Sequence, residues 1–138
     1  MSVTPSRPYL LRALYEWLCD NDLTPLIVVD AGVRGVNVPD AYVQDGQITL
    51  NIALGAVREL DMNDAGVSFN ARFGGVPMNV YVPITAVLAI YARENGMGMG
   101  FGMEPGADLL ALAKAEQPEP EPPEPGPGGG RPSLRVVK

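Results

Sequence analysis

Six prolines and three glutamates occupy the ten residues from Pro118 to Pro127, and three glycines, Gly128 to Gly130, follow them. Proline offers no backbone N–H and holds φ near about −65°, so such a run enters neither a helix nor a sheet and reads as an extended, self-repelling spacer. No packed core can form there, and any globular part must come from the roughly 100 residues before it, room for one domain. The last eight residues, Arg131 to Lys138, change character again, with three positive charges and Leu134, Val136 and Val137 among them. A basic, apolar peptide at the end of a spacer is unusual for unused disorder.

Composition also shifts near Gly96. From Met1 to Glu104 there are 6 basic and 11 acidic residues, with apolar positions in readable patterns. Gly96 to Gly102 then alternates glycine with Met97, Met99 and Phe101, a segment expected to be too costly in chain entropy to hold a helix or strand. The reading is a folded domain over 1–96, a linker over 97–130 with a short apolar helix possible at Ala107 to Ala115, and a terminal peptide over 131–138.

Within the domain, Ser6 followed by Pro8 marks a helix start, expected to run to about Asn21. Leu10, Leu14, Trp17 and Leu18 make one stripe, and Leu11 and Tyr15 widen it beyond the usual apolar face. So wide a face suits two surfaces, its own sheet and a second subunit; the alternative is that the extra apolar residues lie under a loop. Leu26 to Val29 suits a buried strand. Asp45-Gly46 is a hairpin turn between Ala41 to Gln44 and Gln47 to Ala53, and a second hairpin runs from Glu59 to Met62 into Val67 to Phe73. Gly74-Gly75 turns the chain into Met78 to Val82, and Pro83 is expected to open a last helix, Ile84 to Asn95, ended by Gly96. One helix, about five short antiparallel strands and one more helix predict an α+β fold whose sheet curls into a small barrel.

The chemistry is as informative for what it lacks. There is no histidine and a single cysteine, Cys19, so the common zinc sites, the serine and cysteine triads and an internal disulfide cannot be assembled. A net charge of −6 argues against tracking nucleic-acid phosphates. No stretch of 18 apolar residues and no basic-then-apolar leader is present, so a soluble, cytoplasmic protein is expected. Asp20 and Asp22 end a helix, and Asp61 and Asp64 flank a hairpin, places where turns use aspartate without catalysis. The thioethers of the glycine and methionine run suit a soft metal such as Cu(I), but a joint with adaptable contacts is the simpler reading. Neither an enzyme nor a cofactor is expected.

The strand Val67 to Phe73 points elsewhere. Val67, Phe69, Ala71 and Phe73 alternate with Ser68, Asn70 and Arg72. The small Ala71 between two rings leaves a depression in which an extended peptide can lie, held by backbone hydrogen bonds and side-chain pockets. Plain core is the other reading of the same pattern.

The runs Arg7-Pro-Tyr-Leu-Leu-Arg, Tyr15-Glu-Trp-Leu, Asp45-Gly-Gln-Ile, Leu50-Asn-Ile-Ala, Phe69-Asn-Ala-Arg-Phe-Gly-Gly and Val87-Leu-Ala-Ile-Tyr-Ala-Arg-Glu-Asn-Gly closely resemble the stringent starvation protein B (SspB) family of proteobacteria. The ending Gly130-Arg-Pro-Ser-Leu-Arg-Val-Val-Lys resembles that family's tail motif. The resemblance covers residues 7 to 96 and 130 to 138, while 97 to 129 agrees only in kind. It implies a protease adaptor: a homodimeric Sm-like barrel that binds the ssrA degradation tag, and a tail that docks on the N-terminal zinc-binding domain of the ClpX unfoldase. It implies a tag groove along Phe69, Ala71, Arg72 and Phe73 with Asn51 and Ala53 beside it. The dimer contact would lie on the first helix, through Tyr9, Leu11, Leu14, Tyr15 and Leu18. The docking peptide would be Arg131, Pro132, Leu134, Arg135, Val136, Val137 and Lys138. The rival from another class is an RNA-binding or structural barrel, which the acidic charge disfavours.

Overall fold

A computed structural model describes residues 3–110. The linker beyond Leu110 and the Arg131 to Lys138 peptide lie outside the described residues. Helix α1, Arg7–Asp20, starts with Pro8 in its first turn as expected, but Ser6 gives the helix no side-chain cap. Its hydroxyl instead donates to the carbonyl of Pro105.

Among the described residues seven strands follow: β1 Pro25–Asp30, β2 Gln47–Asn51, β3 Arg58–Met62, β4 Gly66–Phe73, β5 Val76–Pro83, β6 Val87–Ala92 and β7 Gly98–Gly100. They form two antiparallel sheets, one in the order β2-β1-β6-β7 and the other β3-β4-β5. The fold is α+β, and the sheets share one apolar core that includes Leu11, Leu18, Ile27, Ile52, Val67, Phe69, Val82 and Ile90. They curl round it without closing, which leaves β2 and β3 as outer strands that do not pair with each other.

Three expectations are corrected. The segment Ala41 to Gln44 is not a hairpin arm: Asp40–Tyr42 is a turn of 3-10 helix behind Pro39. Only the Gln44 and Gln47 bridge flanks the Asp45-Gly46 turn, and β2 pairs with β1 instead. The later helix does not run over Ile84 to Asn95 as expected either. Ile84–Ala86 is a single 3-10 turn, and Val87–Ala92 is a strand between β1 and β7. The apolar run there has no clean two-residue alternation because the β1 to β6 register slips at Leu88, which puts Val87 out of phase with the buried Ile90 and Ala92.

Third, the packed chain does not stop at Gly96. Gly98–Gly100 pairs with β6, and a Cβ on Gly98 would stand 2.0 Å from the Ile90 carbonyl oxygen, so glycine here permits close approach of two backbones. Beyond it Glu104 is buried, its carboxylate 2.8 Å from Nε of the equally buried Arg7. Burial by itself would raise the Glu104 pKa, but the Gly102 N–H and the Arg7 guanidinium outweigh it and hold the group below the ordinary carboxylate value. Residues 107–110 then begin a helical turn.

Candidate peptide-binding groove

The open seam between the sheets is where the candidate residues meet. Hydrogen bonding in an antiparallel pair alternates between neighbours, so one bond fixes the direction of all. The Ile52 N–H donates to the Pro25 carbonyl. It follows from the register that Leu50 and Ile48 also face β1, while the main-chain groups of Thr49 and Asn51 face outward. On β4 the Asn63 N–H donates to the Gly66 carbonyl, so Ser68, Asn70 and Arg72 turn theirs toward β3. But β3 ends at Arg58, opposite Asn70, and the main chain of Arg72 is left beyond its last partner.

Between these edges lies a hollow of about 250 Å³ lined by Tyr42, Thr49, Leu50, Asn51, Ala56, Phe69, Ala71, Arg72 and Phe73. The alternation along β4 sends Phe69, Ala71 and Phe73 to one face. Phe69 is 4% exposed and serves as core and floor at once, while Ala71 and Phe73 are half-buried. The Phe73 ring stands 5.5 Å from that of Tyr42 at 54°, an aromatic wall of tilted geometry. Arg72 leans on the hairpin turn, donating from Nη1 to the Gly75 carbonyl at 3.3 Å. That turn is a tight one, with Gly74 and Gly75 both at positive φ, 61° and 84°.

Five of the six sequence-derived groove residues thus line one hollow. Ala53 does not: its N–H is taken by Asn51 Oδ1 at 2.9 Å, and its carbonyl accepts from Ala56. That side-chain turn carries Leu54, 74% exposed, out beside the groove. Sequence reasoning missed Tyr42, Thr49, Leu50 and Ala56. Tyr42 was hidden by the false hairpin arm; Thr49 and Leu50 were on a strand whose outer edge only the topology reveals.

The first helix divides differently from the expectation. Leu11 and Leu18 are fully buried in the chain's own core and are unavailable to a second subunit. Leu14 and Tyr15 pack partly against that core. The outward apolar residues are Tyr9 and Trp17, 52% and 44% exposed, with Ala13 between them at four-residue spacing on the same side of the helix.

A family model described as Stringent starvation protein B matches residues 5–138. The Stringent starvation protein B homolog of Haemophilus influenzae (strain ATCC 51907 / DSM 11121 / KW20 / Rd) is 56% identical over 96 residues, which are 70% of this chain and 64% of that protein. The aligned part thus spans somewhat less than two thirds of the relative's length.

Proposed function

This chain belongs to the SspB family, and from that membership and the open seam we propose that it is a non-enzymatic adaptor for the ClpXP protease, in the cytoplasm. It holds ssrA-tagged polypeptides along β4 and docks its Arg131 to Lys138 tail on the ClpX N-terminal zinc-binding domain. The observation that carries the reading is the hollow itself. It joins unpaired main chain on β2 and β4 to a small residue, Ala71, set among aromatic walls, the combination by which a sheet edge accepts an extended peptide. Nothing in this function asks for bond chemistry. Tethering cargo beside the unfoldase raises its local concentration, and two contacts that are weak alone act together.

The test follows degradation of a tagged fluorescent protein by ClpXP against substrate concentration, together with titration of a labelled tag peptide. Deleting Arg131 to Lys138 leaves peptide binding intact and removes stimulation at low substrate concentration. Ala71→Gln fills the hollow and removes both, with an unchanged circular dichroism spectrum. Full stimulation by the tail-less form would refute tethering, and unchanged affinity of Ala71→Gln would refute the groove.

The dimer contact is assigned to the Tyr9, Ala13 and Trp17 side of α1, with Leu14 and Tyr15 at its border. Trp17→Glu then yields monomers in sedimentation, whereas Leu11→Glu unfolds the chain by burying an unpaired carboxylate. A wild-type monomer at micromolar concentration would overturn the dimer.

A further inference from the structure

The methionines of the described residues divide into two sets. Met62 and Met78 pack against the core, the ordinary use of a flexible side chain that fills gaps. Met97, Met99 and Met103 do not, and stand 51%, 38% and 97% exposed in one short run of chain. The sequence leaves two readings of that run, a joint with adaptable contacts and a set of thioether donors. Pairing with β6 takes Met97 and Met99 out of any joint.

The Ala92 N–H donates to the Met97 carbonyl and the Phe101 N–H to the Leu88 carbonyl, both at 2.8 Å. The ladder therefore runs past both ends of β7, and Met97, Met99 and Phe101 turn their side chains to one face. Phe101 packs against the core, with the Arg7 guanidinium 5.3 Å from its ring centre. Met97 and Met99 continue the same row into solvent, Met99 opposite Ile90. Two residues of a strand are about 7 Å apart, and each thioether hangs on several rotatable bonds, so both sulfurs reach a single ion. Met103 follows in the bend that begins at Phe101, close enough in the chain to supply a third donor. The Arg7 charge beside this row is taken by Glu104 at 2.8 Å. With 6 basic and 11 acidic residues over Met1 to Glu104, the domain as a whole attracts cations.

We infer that Met97, Met99 and Met103 form a site for a soft monovalent cation, Cu(I) or its redox-inert counterpart Ag(I). Thioether sulfur is a soft donor that selects such ions and leaves Mg(II) and Ca(II) to oxygen ligands. It carries no proton, so binding displaces none and does not depend on pH, unlike binding to a thiolate. The bound ion ties β7 to the bend behind it, at the sheet edge opposite the peptide groove.

The experiment titrates Ag(I) into the full chain with isotope-labelled methionine methyl groups and follows each methyl by NMR. It is run on wild type and on Cys19→Ser, because the single thiol is also a soft donor. In Cys19→Ser the Met97, Met99 and Met103 signals move together and saturate at one ion per chain, equally at about pH 6 and about pH 8, while Met62 and Met78 hold still. Wild type gives the same three shifts, and Mg(II) gives none. Met97→Leu, Met99→Leu and Met103→Leu keep an apolar side chain of similar volume and remove the sulfur. Each weakens binding about tenfold or more, since loss of even an outer partner of a metal site costs that much. Unmoved Met97 and Met99 signals, all methionines moving alike, wild-type affinity in any of the leucine variants, or loss of the shifts in Cys19→Ser would each overturn the site.

Discussion

The four-stranded sheet has two outer strands, and what lies beside each sets them apart. Strand β2 turns the main chain of Thr49 and Asn51 toward a hollow that faces a second sheet. Strand β7, only Gly98–Gly100, lies at the opposite edge. Its glycine permits an unusually close approach to β6, and the chain behind it is fastened by the Arg7 and Glu104 pair. A short strand leaves few backbone groups free and is one way an edge is blunted. A five-residue strand with a walled cleft beside it leaves them available to a chosen partner. One edge ends the sheet; the other awaits a strand.

The largest effect is expected at the fastened edge. Glu104→Ala leaves the Arg7 guanidinium buried without its partner, and removing one member of a buried pair costs about 3–5 kcal/mol. For a domain of this size that is a fall in Tm of about 12 °C or more. The pH dependence has a definite sign. A carboxyl whose folded pKa lies below its ordinary 4.5 contributes stability that is present above that ordinary value and is lost as pH falls through the depressed one. The difference in Tm between wild type and Glu104→Ala therefore holds at neutral pH and narrows only in acid below the ordinary carboxylate range. A constant difference down to strongly acidic pH would mean that packing, not charge, holds this edge.

A smaller effect belongs to Gly98→Val. The new Cβ cannot coexist with the Ile90 carbonyl oxygen, so β7 must shift, at a cost of about 1–3 kcal/mol. Hydrogen exchange reads it as lost protection at the amides that β6 and β7 exchange, while peptide affinity at the far edge stays as it was. If the groove also weakens, the two edges are coupled through the sheet and the contrast drawn between them fails.

How far the sequence discloses this differs by element for physical reasons. Strand β4 was legible because Val67, Phe69, Ala71 and Phe73 alternate, and a strand exposed on one face keeps its period. The turns at Asp45-Gly46 and Gly74-Gly75 were legible because left-handed backbone is restricted to few residues. Strand β6 was not, since Val87, Leu88, Ile90 and Tyr91 fit helical spacing and the register slip at Leu88 breaks the two-residue period of the strand. Gly98 misled by looking flexible where its role is to admit a neighbouring carbonyl. Of the site, the side chains of β4 were visible in the alternation. The contribution of β2 was not, because which edge of a strand is free depends on its partners, and those depend on the whole topology.

The least disruptive change tests the point most directly. The Thr49 N–H faces away from β1, so replacing it by proline removes an outward donor and leaves the β1 to β2 ladder whole. The same device is already present on β5. Pro77 stands opposite Arg72 in the register, at a position whose missing N–H faces away from β4. Ile48, the residue before the new proline, is in extended backbone that proline favours in its predecessor. Thr49→Pro is accordingly expected to shift stability by no more than about 0.5 kcal/mol, as for a surface change. Tag-peptide affinity is expected to fall about fivefold to tenfold, the size of one lost hydrogen bond from a partly desolvated edge. Thermal unfolding and peptide titration on the same sample separate the two. Unchanged affinity with unchanged Tm would show that the peptide lies along β4 alone, and that the outer edge of β2 is a wall of the groove and not a partner strand.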